Sequence, residues 1–149
     1  MSNIQVKLHP SLNDAYQENL YFRQLVQDFK LFKKGVLIPY FGRDASYDYP
    51  QSIRDAGLLH IHILHDSSKA FQRRQKAMAQ NRYIDPYSLT CDIGDPPNDK
   101  ALVYTKGFLN ENLFLILDFF SANAHDLAKP PSPRLRRLAD MAREFRDQY

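Results

Sequence analysis

Residues 113–120, LFLILDFF, are apolar at every position but Asp118. A strand sends successive side chains to opposite faces. A run apolar at both parities therefore reads as a strand covered on both sides. The rest of the chain has to supply that cover. IQVKL (4–8) alternates as a short strand, and His9-Pro10 breaks it. Ser11 opens a capping-box-like start. From there Leu12, Tyr16, Leu20, Leu25, Phe29 and Phe32 recur at helical spacing, as one long helix or two short ones, with Gly35 as the stop. VLIPYFGRDASYDYP (36–50) is rich in turn residues and reads as irregular. LLHIHIL (58–64) and ALVYTKG (101–107) read as strands, with a long basic and then Pro-rich, acidic excursion over 65–99 between them. KPPSP (129–133) is a rigid break. A last helix carries Leu135, Leu138, Ala142, Phe145 and Tyr149 on one stripe. Late strands joined without helical crossovers predict an α+β fold: a small, mostly antiparallel sheet with N-terminal and C-terminal helices packed on it.

At 149 residues and 44% hydrophobic content, a single domain spanning 1–149 is expected. No apolar run approaches the ~20 residues of a membrane span, and the N-terminus lacks the look of a secretory signal. No membrane partner and a cytoplasmic location are the expectation. One cysteine, Cys91, leaves no disulfide framework. The net charge of +3 is unevenly placed. Lys69, Arg73, Arg74, Lys76 and Arg82 fall in a stretch with no acid, and arginines crowd the last helix. A polyanion partner fits this pattern, as does a plain solvated surface.

His60 and His62 share one face of their strand. Such a pair can hold zinc, but no cluster of further ligands accompanies it, so no metal is expected. Nucleophile elbows and phosphate-cradling glycine loops are missing as well, and no cofactor is expected. RNA cleavage through the ribose 2′-hydroxyl asks for less: imidazoles to move protons, a guanidinium for the phosphate, and rings to stack bases. The chain offers all three, though on composition alone it is no more than a basic α+β domain.

Taken in order, FKKGVL (32–37), FGRDASYD (41–48), HIHI (60–63), ALVYTKG (101–107), LFLIL (113–117), AHDLA (124–128) and LADMAREFR (138–146) resemble the YafO family of type II toxins. The resemblance covers roughly residues 28–64 and 98–148 and leaves 65–97 outside it. It implies a RelE-like fold and a ribosome-dependent endoribonuclease that cuts translated mRNA. It further implies the ribosome as a working partner and a cognate antitoxin as a silencing one. Within it, His60, His62, His125 and Arg43 are the candidate catalytic residues, with Arg43 on a phosphate and Asp44 fixing it. Asp44, Tyr47, Arg73, Arg74, Lys76, Arg143 and Arg146 are the candidate RNA contacts. Each has a structural alternative: an Arg43–Asp44 turn bridge, a half-buried Tyr47 ring, polar strand positions at His60 and His62, a helix-start cap at His125, solvated helix charges for the arginines. A non-enzymatic toxin that binds its target, or a plain RNA-binding module, are the competing functions.

Overall fold

The computed structural model describes residues 3–129 and 132–149. The two central prolines of KPPSP thus lie outside the described residues. Five strands form one mixed sheet in the order β1-β5-β4-β3-β2: β1 Gln5–Leu8, β2 Phe41–Ser46, β3 Leu59–Ile63, β4 Lys100–Lys106 and β5 Leu113–Phe120. Only β1 runs parallel to its neighbour, β5; the other pairings are antiparallel. The expected α+β architecture is present, with one strand more than the sequence suggested.

Both faces of the sheet are covered, as LFLILDFF requires. On one face lie α1 (Asn13–Glu18) and α2 (Leu20–Lys33), where Phe22, Leu25, Val26 and Phe29 pack on Ile61, Ile63, Leu102, Tyr104, Phe114 and Ile116. The helical stretch is two helices because Asn19 stays extended and caps α2, its side chain accepting the Phe22 N–H at 3.1 Å. The expected Ser11 cap is replaced by His9, which caps a 3₁₀ turn at Pro10–Leu12. Gly35 does stop α2, at φ 97°.

Against the other face pack α3 (Gln51–Ala56), α5 (Ala124–Ala128) and α6 (Pro133–Gln148). Leu135, Leu138, Ala139, Ala142 and Phe145 of α6 bury against Val103, Leu115 and Leu117. Each large side chain buried this way contributes roughly 1.5–3 kcal/mol. Arg134 clamps the start of α6 to β5 with two bonds to Asp118, 2.7 and 2.8 Å long. That pair explains the one charge in the apolar strand.

Residues 65–99 are an organised addition. α4 (Lys69–Ala79) starts on a Ser68 cap, and two 3₁₀ turns follow. Leu64, Ala70, Leu89 and Cys91 form a small core of their own. The segment then returns along β2, where the Arg43 N–H donates to the Leu89 carbonyl at 2.8 Å.

Candidate active site

The alternation of β3 divides its side chains as the sequence required. Ile61 and Ile63 enter the core beneath α2, and His60 and His62 take the opposite face. They do not floor an open groove. The α5 helix sits over them, and His62 is only 6% exposed. Tyr47, one residue past β2, stacks on His60 with ring centroids 3.9 Å apart and planes 9° from parallel. The His60 and His62 rings are 5.3 Å apart, and the His62 and His125 rings 5.6 Å. Four rings from three parts of the chain thus form one row beside a cleft of about 30 Å³. That space suits one or two waters or a hydroxyl group.

The three imidazoles are held differently. The Nδ1 of His62 accepts the buried Cys91 N–H at 3.1 Å. In its neutral form the proton must then sit on Nε2, so His62 is a hydrogen-bond donor toward the cleft. His125 is the reverse case. Its Nδ1 lies 2.8 Å from Asp99 Oδ2, and its backbone N–H donates to the same oxygen at 2.8 Å. Nδ1 is the donor to the carboxylate, which leaves Nε2 to exchange a proton with something else. His60 Nδ1 is buried without a partner among the described residues.

Burial, chiefly, lowers the pKa of His60 to about 4, with the neighbouring His125 and Arg43 acting in the same direction. His62 falls further, to about 3, through burial and then the nearby His60, His125 and Arg43. A hydrogen bond from the His60 ring to the Ala45 backbone, the charge of Asp48 at His60 and that of Asp99 at His62 oppose these shifts and do not offset them. Both strand imidazoles are neutral at physiological pH.

Arg43, on β2, does not line the cleft but lies near enough for its charge to act on His60 and His62. Its Nε donates to the Tyr87 carbonyl at 2.5 Å, and its guanidinium lies 4.0 Å from the centre of the Tyr87 ring. No intramolecular partner holds its two terminal nitrogens among the described residues. A pinned stem with a free fork is the arrangement that grips a phosphate bidentately. A larger groove of about 450 Å³ lies on the opposite side of β2, between Leu37, Asp44 and Tyr87, but carries no imidazole.

A family model described as toxin YafO, of type II toxin–antitoxin systems, matches residues 27–147. The chain belongs to the YafO toxin family. No curated protein and no solved structure matches it. The family match runs through residues 65–97, which the motif resemblance had left out, so the excursion is part of this YafO-family toxin's family region. A type II toxin has a cognate antitoxin as partner. No helix among the described residues is long and apolar enough to cross a membrane. Nor do three His, Cys, Asp or Glu side chains among the described residues converge as metal ligands.

Of the residues singled out in the sequence, His60, His62, His125 and Tyr47 come together at the cleft, and Arg43 lies near them on β2. Asp44 does not join them. Paired with Ile61, Asp44 lies on the α2 side, bonded to Lys33 at 2.9 Å and to the Tyr104 hydroxyl at 2.5 Å. It anchors α2 to the sheet and cannot fix the Arg43 side chain. Arg74 is also corrected. It is 4% exposed and donates to the carbonyls of Ile38, Pro39 and Phe41, so it cannot present itself to RNA. Arg143 donates to Ser52 O and Asp140, and Arg146 to Lys106 O, which ties α6 to its neighbours. Arg73 and Lys76 are exposed on α4. The residue that sequence reasoning missed is Asp99. It sits in DIGDPPND, which reads as a solvated acidic loop, and nothing local marks the one acid that turns inward.

Proposed function

We propose that this toxin is a ribosome-dependent endoribonuclease acting on translated mRNA in the cytoplasm. The observation that carries the reading is the His125 imidazole, oriented by Asp99, beside two further imidazoles and within charge range of the free fork of Arg43. In this reading His125 Nε2 takes the proton of a ribose 2′-hydroxyl. The 2′-oxygen attacks the adjacent phosphorus and the bond to the 5′-oxygen breaks. The leaving oxygen draws its proton from solvent, and the products are a 2′,3′-cyclic phosphate and a 5′-hydroxyl. Arg43 holds the phosphoryl oxygens as charge builds. The Nε2–H of His62 donates a further hydrogen bond. The cleft is too small for a base or a phosphate, so only the reacting hydroxyl enters and the message lies across its mouth. Ribosomal orientation of the message supplies several kcal/mol, about what such a minimal site needs. The reaction as written calls for no ion.

Expression in a bacterial host tests this. Growth arrest is expected, with cuts inside coding regions that vanish when initiation is blocked, mapped by primer extension. His125→Ala is expected to slow cutting by roughly a hundredfold or more. Arrest with intact messages would instead mark a toxin that works by binding its target. Little toxicity would leave an RNA-binding module.

A further inference from the structure

Three of the side chains to which the proposed reaction gives a role are held by a single stretch of chain, and that stretch carries none of the proposed chemistry itself. Tyr87 holds Arg43 twice, through its carbonyl at 2.5 Å and through its ring at 4.0 Å. The Cys91 N–H occupies His62 Nδ1 at 3.1 Å. Asp99 occupies His125 Nδ1 at 2.8 Å. A segment that merely covered a sheet edge would spend its contacts on backbone and apolar surface, as Leu89 does. These four contacts instead fall on a guanidinium and two ring nitrogens.

We infer that residues 87–99 are the positioning element of this site, and that Asp99 acts as a positioning residue by fixing His125 as the Nδ1–H tautomer with Nε2 free to react. The inference rests on the reading of His125 as the proton-transfer group.

Asp99 is built for that task. It is 3% exposed. Its main-chain carbonyl accepts the Ala124 N–H at 2.9 Å, and the preceding turn accepts the Asn123 N–H through Pro96 O at 2.9 Å. The loop therefore seats the start of α5 and the ring of its second residue together. The other carboxylate oxygen, Oδ1, is buried without a partner among the described residues. A helix cap alone would not require a buried carboxylate with an idle oxygen, because a serine or asparagine would serve. Fixing an imidazole that must carry charge during a reaction does call for one. Cys91 contributes only its backbone N–H, but by claiming His62 Nδ1 it forces the opposite tautomer there. Within one site the segment thus sets one imidazole to donate and the next to accept.

The test has an arm that needs no activity. Long-range proton–nitrogen correlation spectra of the folded wild-type toxin are expected to show His125 as the Nδ1–H tautomer and His62 as the Nε2–H tautomer. Asp99→Asn is expected to abolish the preference at His125 and leave His62 unchanged, and Asp99→Glu to restore it in part. In cleavage of ribosome-bound message, Asp99→Asn should lower kcat by roughly tenfold or more with KM nearly constant, with partial recovery in Asp99→Glu. A wild-type His125 in the Nε2–H form overturns the inference even if Asp99→Asn fails to fold. So does a folded Asp99→Asn protein that cuts at the wild-type rate. A wild-type toxin that cuts no message at all defeats the nuclease reading, and the tautomer spectra still decide whether Asp99 orders the ring.

Discussion

His60 and His62 were placed side by side by strand alternation, and their burial has a measurable consequence. An imidazole in the unfolded chain titrates near 6.5. In the folded protein the two titrate at about 4 and about 3. Between those limits the unfolded chain binds more protons than the folded one, so stability rises with pH. It is fully present above about pH 6.5 and is lost as pH falls toward 3. The faces packed against the pair bring Tyr47, Arg43, His125, Asp48 and Asp99, and burial outweighs the two acids. Denaturant unfolding at pH 7 and pH 4.5 is expected to differ by about 5 kcal/mol, roughly half from each imidazole. A His60→Gln/His62→Gln protein should be less stable at pH 7 and show a clearly flatter dependence. An unchanged slope would mean that other groups drive the acid sensitivity. The same neutrality divides the labour in the site. A neutral ring whose Nδ1 is already filled, as at His62, is a donor and a poor base.

At the scale of elements, β2 shows what the sequence hid. Pro39, Gly42, Asp44, Ser46 and Asp48 read as turn residues, yet Phe41–Ser46 is an edge strand with an irregularity between Phe41 and Asp44. Pairing with β3 at Phe41 and at Asp44–Ser46, and cover from residues 86–89 between, override local preference, and neither is visible in a local window. Gly42 is there for close approach, since a Cβ would lie 2.2 Å from the Leu89 carbonyl oxygen. The short helices α3 and α5 escaped for a different reason: six and five residues are too few to show a helical period. The two-sided strand, the α6 stripe and the shared face of His60 and His62 were legible because each rests on periodicity alone. The clustering of His125 and Asp99 with them depends on contacts across more than sixty and more than thirty positions of chain, which periodicity cannot report. Two substitutions test the element contacts. Gly42→Ala should push residues 86–89 off β2 and cost about 1–3 kcal/mol, with Arg43 displaced and cleavage reduced. Arg74→Met should cost about 2–4 kcal/mol, because three carbonyls at the approach to β2 lose their donor. Thermal melts in which either protein matches the wild type would show that the excursion is not fastened where these contacts place it.

For the molecule as a whole, the cation excess is distributed by the fold into engaged and free charge. Arg74 turns inward, Arg134 pairs with Asp118, and Arg143 and Arg146 hold carbonyls. On α4 and just past it, Lys69, Arg73, Lys76 and Arg82 remain exposed. If a ribosomal RNA surface receives this toxin, these four are its electrostatic contact. Each phosphate contact releases counterions, so affinity should fall steeply with salt. Replacing all four with glutamine should leave the melting temperature nearly unchanged, because none is buried. Sedimentation with ribosomes over a range of salt should then show weaker association. The slope of log affinity against log salt should flatten by roughly 0.7 to 0.9 for each contact removed. Weaker binding with an unchanged slope would point to lost shape complementarity rather than lost charge. Unchanged binding would move the contact to the exposed Arg136 and Arg137 of α6, on the face of the sheet that carries the imidazoles, where the same experiment can be repeated.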